Sequence, residues 1–544
     1  MEGRHGMLPR GLEEAIRRQE EFGRFGQMFP QLPPLEVPDD ALRQLAATML
    51  DDGTSGDNLN VPAGYTYLGQ FIDHDITLDT SALGEALNDP RGLINFRTPR
   101  LDLDCVYGGG PGAMPQLYDR RDGRKLLIGR CVAGGGGDPG VKAGLPNDLP
   151  RTREGLAVIG DPRNDENLLV AQTHLAMLKF HNKVVDHLDA EGQVPAGQRF
   201  EAARRLVRWH YQHIVLFDFL DRLIDMNELQ DVLTGGRKFY CFEKQSEYAE
   251  PYMPVEFSVA AYRLGHSMVR EAYSHNRAFN QDAGPATFGF LFNFTGKSGG
   301  IVGDLAPDPA DQAAILALQQ ALRLPGLQIP GGPQIPPLFS ATLPGDWAID
   351  WHRFYELGQP KKAPAGAKKA DGTPSTENHF HLNHARLLDP YLVPALHKLP
   401  HEAKLFDSLA FLNLKRGVKM QLPSGQAVAE AMDIAALRPA EIAESGRDGA
   451  MAAKLGLHET TPLWYYILKE AQLRGNGGNR LGPVGSRILA EVFVGLLEGD
   501  AESFLKQDRN WKPTLPAANK GSFTMPDLLR FVGDLDPINE AGSF

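Results

Sequence analysis

The chain lacks the features that would place it in several large classes. It has three cysteines in 544 residues, Cys105, Cys131 and Cys241, too few and too scattered for a disulfide framework or a cysteine-built zinc site. No run approaches the ~18–20 consecutive apolar residues of a membrane-spanning helix. No Lys/Arg-rich patch stands out, and 56 Lys+Arg face 68 Asp+Glu for a formal net charge of −12. That balance argues against a phosphate-binding nucleic-acid surface. The N-terminus, MEGRHGMLPRGLEEAIRRQEEFGRF, is charged and amphipathic, without the apolar core of a signal peptide. The expectation is a soluble protein, cytoplasmic or exported without a recognisable signal. No H-E-x-x-H motif occurs, and the Gly-rich stretch 134–140 lacks the G-K-[ST] ending of a phosphate loop. Internal repeats are absent too.

What is there is enough apolar material, 42% of residues, for a large core rather than disorder. The 58 Gly and 40 Pro mark long loops between helical patterns. Helices are expected over 11–24, 33–50 with Asp39 or Asp40 as N-cap, 202–225, 255–273, 403–414, 462–473 and 481–498. Another starts in GDPRNDEN, with Asp161 as N-cap and Pro162 as first residue. Residues 98–158 read mostly as loop, strands are few, and 299–348 is a Pro/Gly-rich excursion around an amphipathic segment, 308–324. Length alone would suggest three domains. The loops, however, interrupt helices without separating hydrophobic blocks. The reading is therefore mainly α: an N-terminal helical extension, 1–55, packed on one large domain, 56–544, with a loop-rich insertion at 299–376.

Four segments concentrate chemistry. In GQFIDHDITLD (69–79), Gln70, Asp73 and His74 fall at i, i+3 and i+4 and share a helix face, while Asp75 lies about 100° further round. Such a polar face among Phe71, Ile72 and Ile76 is costly unless partnered; a satisfied polar cluster or a surface turn is the plain alternative. In GDPRNDEN (160–167), Glu166 suits a helix N-terminus whereas Arg163 does not, and an ion pair between the two would explain both without function. YRLGHSMVR (262–270) puts Arg263 and His266 one turn apart on an apolar helix, where a lone histidine is ordinarily core packing. TPRLDLD (98–104) alternates Thr98, Asp102 and Asp104 so that their oxygens could turn onto one hard cation, a weak signal by itself. His174 and His181 share a helix face and are expected to pack or to lie at the surface. His379, His381 and His384 could bind metal but lack a supporting carboxylate or cysteine pattern.

In this order, the four segments resemble the animal-type haem peroxidases of the peroxidase–cyclooxygenase superfamily, over roughly residues 60–500. LNLKRG (412–417) and LGPVGSRILAEVFVGLLEGD (481–500) add to the likeness. The resemblance implies a mainly α, single-domain fold holding haem b between helices. It makes His74 the distal catalytic histidine, Gln70 a distal glutamine and Arg163 the distal arginine. His266 becomes the proximal iron ligand, donating its other N–H to Asn413, and Arg263 and Arg416 line the proximal and propionate side. Asp73 and Glu166 occupy positions that form ester bonds to haem methyl groups in many members. Asp75, Thr98, the Arg100 carbonyl, Asp102 and Asp104 match the family's calcium site.

The chemistry makes these residue types intelligible. Peroxide cleavage needs a neutral base to shuttle a proton, a fixed cation for the charge that separates and a strong axial donor for iron. Asn167 stands where a methionine gives some mammalian members a sulfonium link, so that bond is excluded, and Asp104 replaces a serine-type cation ligand. The implied activity is reduction of hydrogen peroxide with oxidation of small phenols, halides or thiocyanate. The alternatives are a fatty-acid dioxygenase of the same fold, a haem-bearing adhesion or binding protein, and a non-haem metal hydrolase on the His379–His384 cluster. The dioxygenases place a radical-bearing tyrosine three residues before the proximal histidine. Here that position is Arg263, with Tyr262 expected on a different helix face. No RGD tripeptide favours adhesion.

Overall fold

Wherever apolar residues recur all round a helical period, a helix buried on every side results, and such helices frame this protein. The computed structural model describes residues 23–53, 55–78, 94–135, 138, 140–153, 155–242, 250–280, 284–292, 295, 342–358, 381–397 and 408–540. Among these the main helices are α1 (Asp39–Thr48), α2 (Gly64–Ile76), α3 (Leu168–Glu191), α4 (Arg199–Ile214), α5 (Met226–Gly235), α6 (Leu409–Lys419), α7 (Leu463–Arg474), α8 (Pro483–Gly499) and α9 (Met525–Val532). β-Structure is confined to short pairings. Gly23–Gly26 lies between Ile94–Asn95, antiparallel, and Met253–Pro254, parallel, and Asp57–Pro62 pairs with His384–Arg386. The mainly α expectation holds.

α2 packs on α3, which in turn packs on α4 and α9. Buried side chains from Phe25 to Val532 form one continuous hydrophobic cluster. Asp448, Lys469 and Glu256, buried in this frame, are each partnered. Lys469 and Asp448, both inaccessible, meet at 2.6 Å, and the hydroxyls of Tyr391 and Tyr465 donate to the same carboxylate. The carboxylate of Glu256 accepts the backbone N–H groups of Met28 and Phe29 at 3.0 Å each, fastening the N-terminal segment to the middle of the chain. An unmatched charge at such depth costs several kcal/mol, so these pairs fix register more than they add net stability.

Several boundaries differ from the sequence expectation. The helix over 11–24 falls outside the described residues except for Gly23 and Arg24, which are strand. α1 begins at Asp39 with Pro38 at the cap position, so Asp39 and Asp40 sit inside the first turn, where they complement the helix dipole. The long helix does not start at Asp161. That residue caps a 3-10 turn, Pro162–Asp165, and α3 begins at Leu168, capped by Asn167 accepting from the Val170 N–H. The helix expected over 202–225 is α4 continued through a π turn, Val215–Phe219, into a last turn, Leu220–Leu223. The helix expected over 255–273 is a π turn, a 3-10 turn and one α turn, ending at Met268. The segment 308–324 and most of the 299–376 insertion lie outside the described residues.

At the start of α2 the backbone leaves no room for a side chain. A Cβ on Gly64 would lie 2.3 Å from Tyr355 Cε2 and 2.6 Å from the Phe354 carbonyl oxygen, whereas one on Gly265 would meet nothing within 4 Å. Gly64→Ala is expected to destabilise the protein by about 1–3 kcal/mol, the usual range for overpacking, and Gly265→Ala to change it little. Urea unfolding of the two variants checks both.

Candidate active site

One turn-and-a-half of α2 sets the geometry. Gln70, Asp73 and His74 share the helix face that lines a cavity of about 500 Å³, together with Arg163, Glu166 and Asn167. Arg263, His266 and Arg416 also line it, from the Glu256–Met268 segment and α6. Asp75, inaccessible to solvent, is not among the lining residues; its carboxylate meets Asp102 and Asp104. The 100° step between His74 and Asp75 thus serves two sites from adjacent residues.

His74 is locked in orientation and tautomer. Its Nδ1 lies 2.9 Å from Asn164 Oδ1, and an amide oxygen only accepts, so Nδ1 carries the proton and Nε2 is left with its lone pair. Asn164 Nδ2 in turn donates to His174 Nδ1 at 3.0 Å. Burial, with help from the Arg163 charge, pushes the His74 pKa down to about 3, so the imidazole is a neutral base across the physiological range. Its Nε2 lies 3.7 Å from Glu166 Oε2. Burial raises Glu166 to about 8 and raises Asp73 as well. Gln70 is held between Asn167, which donates to its oxygen at 2.9 Å, and Glu166, to which it donates at 3.1 Å.

Arg163 does not pair with Glu166, the plain alternative read from the sequence. Its Nε and backbone N–H donate to Asp161 Oδ1 at 3.1 and 2.9 Å, and Nη2 reaches Asp161 Oδ2 at 2.8 Å. Nη2 also donates to the carbonyls of His74, at 3.0 Å, and Thr77, at 2.5 Å. The cation therefore sits on the C-terminal carbonyls of α2, the negative end of that helix, which removes the objection to an arginine in this turn. Behind it Arg151 grips Asp165 with two nitrogens at 2.9 and 2.8 Å. The turn carrying Arg163, Asn164 and Glu166 is clamped through both of its aspartates.

Across the cavity, Asn413 on α6 lies between Arg263 and His266. Arg263 Nη1 donates to Asn413 Oδ1 at 3.0 Å, and Asn413 Nδ2 lies 2.8 Å from His266 Nδ1. A guanidinium can only donate, so the amide oxygen faces Arg263 and the amide N–H is the donor to His266. The contact is the one expected from sequence, but its direction is reversed. Burial and the Arg263 charge lower His266 to about 3, leaving it neutral. Arg416 is buried, and burial lowers its pKa. Tyr262, expected on another face from Arg263, reaches the cavity wall as well. The irregular π/3-10 segment breaks the α-helical spacing. Its hydroxyl donates to the Gly69 carbonyl at 3.1 Å.

The second site is the loop after Thr98. Asp75, Asp102 and Asp104 each present an oxygen within 4.8 Å of the others, the grouping among the described residues suited to a metal ion. Thr98 Oγ1 donates to Asp102 Oδ2 at 3.3 Å, and the Arg100 N–H bonds the Thr98 carbonyl at 2.8 Å. Leu103, between the two loop aspartates, takes φ +60°, a left-handed conformation that costs a β-carbon residue on the order of 1 kcal/mol. Asp75 Oδ1 is buried with no hydrogen-bond partner. Burial, then mutual repulsion, raises the pKa of Asp75 and Asp104. Three converging carboxylates with an orphaned buried oxygen offer the type of oxygen donors that hard cations take.

The sequence reading missed Asn164, Arg97 and the charge role of Asp161. His174 and His181 are both interior. His174 bonds Asn164, and His181 bonds the Tyr107 hydroxyl and the Arg124 carbonyl, so packing stands and the surface alternative does not. Of the 379–384 histidines, His379 lies outside the described residues, and His384 is in a strand.

Residues 79–289 match the family model described as animal haem peroxidase. Dual oxidase 1 of Caenorhabditis elegans is 28% identical over 201 residues, covering 35% of this chain and 12% of that protein. The matched stretches span 12% to 34% of the lengths of the curated relatives. Peroxidase A of Dictyostelium discoideum shares the fold with a TM-score of 0.57 at 13% identity, over 93% of this chain and 95% of that one. A fatty acid alpha-dioxygenase of Arabidopsis thaliana does so with a TM-score of 0.53 at 12% identity, over 98% and 86%. Among the described residues no helix is long and apolar enough to cross a membrane.

The raised Glu166 pKa has a sign that can be measured. Between its ordinary value of 4.5 and about 8 the folded protein keeps a proton that the unfolded chain releases, so this group's contribution to stability falls as pH rises through that window. Glu166→Gln removes the dependence. In ligand-free protein the stability of Glu166→Gln relative to wild type should therefore increase from pH 5 to pH 8, read by urea unfolding at each pH.

Proposed function

We propose that the chain is a member of the peroxidase–cyclooxygenase superfamily, a reading supported by the family-model match over 79–289 and the shared fold, and that it is a haem-dependent peroxidase that reduces hydrogen peroxide and oxidises small phenols, halides or thiocyanate. The family implies a haem cofactor. The donor set fits one: two neutral histidines and three arginines line a single deep cavity. Haem, when bound, would supply the iron and the electrons for cleaving the peroxide bond.

The observation that carries this reading is the neutral, tautomer-locked His74 beside an anchored Arg163. His74 Nε2 takes a proton from the incoming peroxide and returns it to the departing oxygen, which leaves as water. Arg163 supplies a fixed positive charge where charge separates. Gln70, fixed by Asn167 and Glu166, orients the small molecule between them. On the opposite wall His266 would hold the haem iron. Holding iron through Nε2 would leave the proton on Nδ1, and Asn413 would then have to turn its amide oxygen to His266 and give up the Arg263 contact. Arg263 and Arg416 suit the carboxylate-bearing edge of haem b. Asp73 and Glu166, both held towards the neutral acid form, are the candidates for ester attachment. Asp75, Thr98, the Arg100 carbonyl, Asp102 and Asp104 would hold calcium and brace α2. The catalytic unit is residues 56–544, with 1–55 as an extension.

A fatty-acid dioxygenase is the second reading, and Tyr262 on the cavity wall is the observation in its favour. Its hydroxyl is committed to the Gly69 carbonyl, and Arg263 holds the position three residues before His266, which favours the peroxidase. His74→Ala should keep a Soret band yet slow peroxide consumption by about 10²–10⁴-fold, whereas His266→Ala should lose the band. Undiminished peroxide turnover in His74→Ala overturns the assignment, and oxygen uptake with a fatty acid in the absence of peroxide, abolished by Tyr262→Phe, would replace it with the dioxygenase.

A further inference from the structure

Arg97 is a buried cation that none of the proposed chemistry uses. It stands immediately before Thr98 and is 8% exposed. Nη1 lies 3.2 Å from Asp104 Oδ1. Nε and Nη2 donate to Asp161 Oδ2 at 2.9 and 2.5 Å, and Nη2 also donates to the Gly160 carbonyl at 3.1 Å. The backbones it bridges are in contact: a Cβ on Gly160 would lie 2.4 Å from the Cys105 carbonyl oxygen and 2.8 Å from that of Asp104. Arg97 thus joins the aspartate cluster directly to the turn that carries Arg163.

The charges at the cluster have a simple sum. With a cation bound and all three ionised, Asp75, Asp102 and Asp104 bring three negative charges, and Arg97 brings one positive charge 3.2 Å from Asp104 Oδ1. Arg208, a second cation whose charge reaches the cluster, is itself paired with Asp500 and Glu502, and Asp161, which Arg97 also contacts, is matched by Arg163. The remainder is two negative charges, the number a divalent cation neutralises. Without Arg97 the buried cluster would present three, and a trivalent ion gains half as much again as a divalent one from each positive charge removed.

We propose that Arg97 is a charge-setting positioning residue: it neutralises the third carboxylate of the Asp75–Asp102–Asp104 cluster, so that the cluster takes a divalent rather than a trivalent cation. This rests on the cation reading given under the proposed function and adds the residue that sets its charge selectivity. The same guanidinium holds Asp161 in place for Arg163, so one side chain serves the cluster and the cavity.

The test uses the full chain stripped with a chelator and titrated with calcium chloride or terbium chloride. Binding is read by calorimetry and by terbium luminescence, independently of any activity. In Arg97→Gln the terbium-to-calcium affinity ratio should rise by about tenfold or more, while Arg97→Lys keeps the wild-type ratio. Arg97→Gln combined with Asp104→Asn restores the two-charge balance, which protects against misfolding of the single variant, and should return the ratio to the wild-type range. An unchanged ratio in Arg97→Gln, with calcium still bound by the wild type, overturns the role of Arg97 and leaves the cation site standing. No saturable binding of either ion by any form overturns the cation site itself.

Discussion

The carboxylate of Asp161 is wholly buried, and two guanidiniums converge on it. Burial alone would push its pKa up, yet Arg163 and Arg97 hold it well below the ordinary carboxylate range. Removing that carboxylate would leave Arg163 with backbone carbonyls alone and Arg97 with Asp104 as its remaining carboxylate, and a buried cation stripped of part of its partner set costs several kcal/mol. Arg163 in turn caps the carbonyl end of α2, and α2 presents Gln70, Asp73 and His74 to the cavity. Arg97 reaches the opposite way, to Asp104. The cavity wall, the end of α2 and the aspartate loop are therefore positioned from one anionic centre.

Around that centre the cavity is electrostatically quiet where chemistry is proposed. Both histidines are held neutral by burial, and Asp73 and Glu166 are held towards their acid forms. The fixed charges that remain are arginines, which do not titrate. A proton arriving at His74 Nε2 meets a base whose ring is already tethered through Asn164 to His174, so no reorientation is needed to receive it.

Much of this was legible in the sequence, for identifiable reasons. The i, i+3, i+4 spacing of Gln70, Asp73 and His74 places them on one face whatever the tertiary context, and the next residue, Asp75, must then face elsewhere. Pairs such as Asn413 with His266, 147 residues apart, were accessible only through the family resemblance. What escaped were residues whose role depends on an irregular backbone. Asp161 read as the cap of a long helix because a 3-10 turn and an α-helix share their first signals, Asp followed by Pro. Tyr262 reaches the cavity wall as well as Arg263, in a segment where a π turn and a 3-10 turn replace the regular helix. Arg97 offered no pattern, being one of many arginines beside a loop, until Asp104 and Asp161 were brought to it.

The π turn at Val215–Phe219 has a bearing on how this fold tolerates change in length. It inserts one residue into the helix that runs from Arg199 to Leu223, and two of its residues face α2. Asp218 accepts the Tyr65 hydroxyl at 2.7 Å while also accepting the Met525 N–H at 2.7 Å, and the Phe219 ring abuts Gly69, 3.2 Å from where a Cβ would be. Deleting a single residue there would restore an unbroken hydrogen-bond ladder and look locally harmless. It would also rotate one flank of the helix by about 100° relative to the other, so that either Asp218 loses α2 or Arg208 loses Asp500. Loops elsewhere in the chain can drift in length, but at this point the helix is fixed to a residue count.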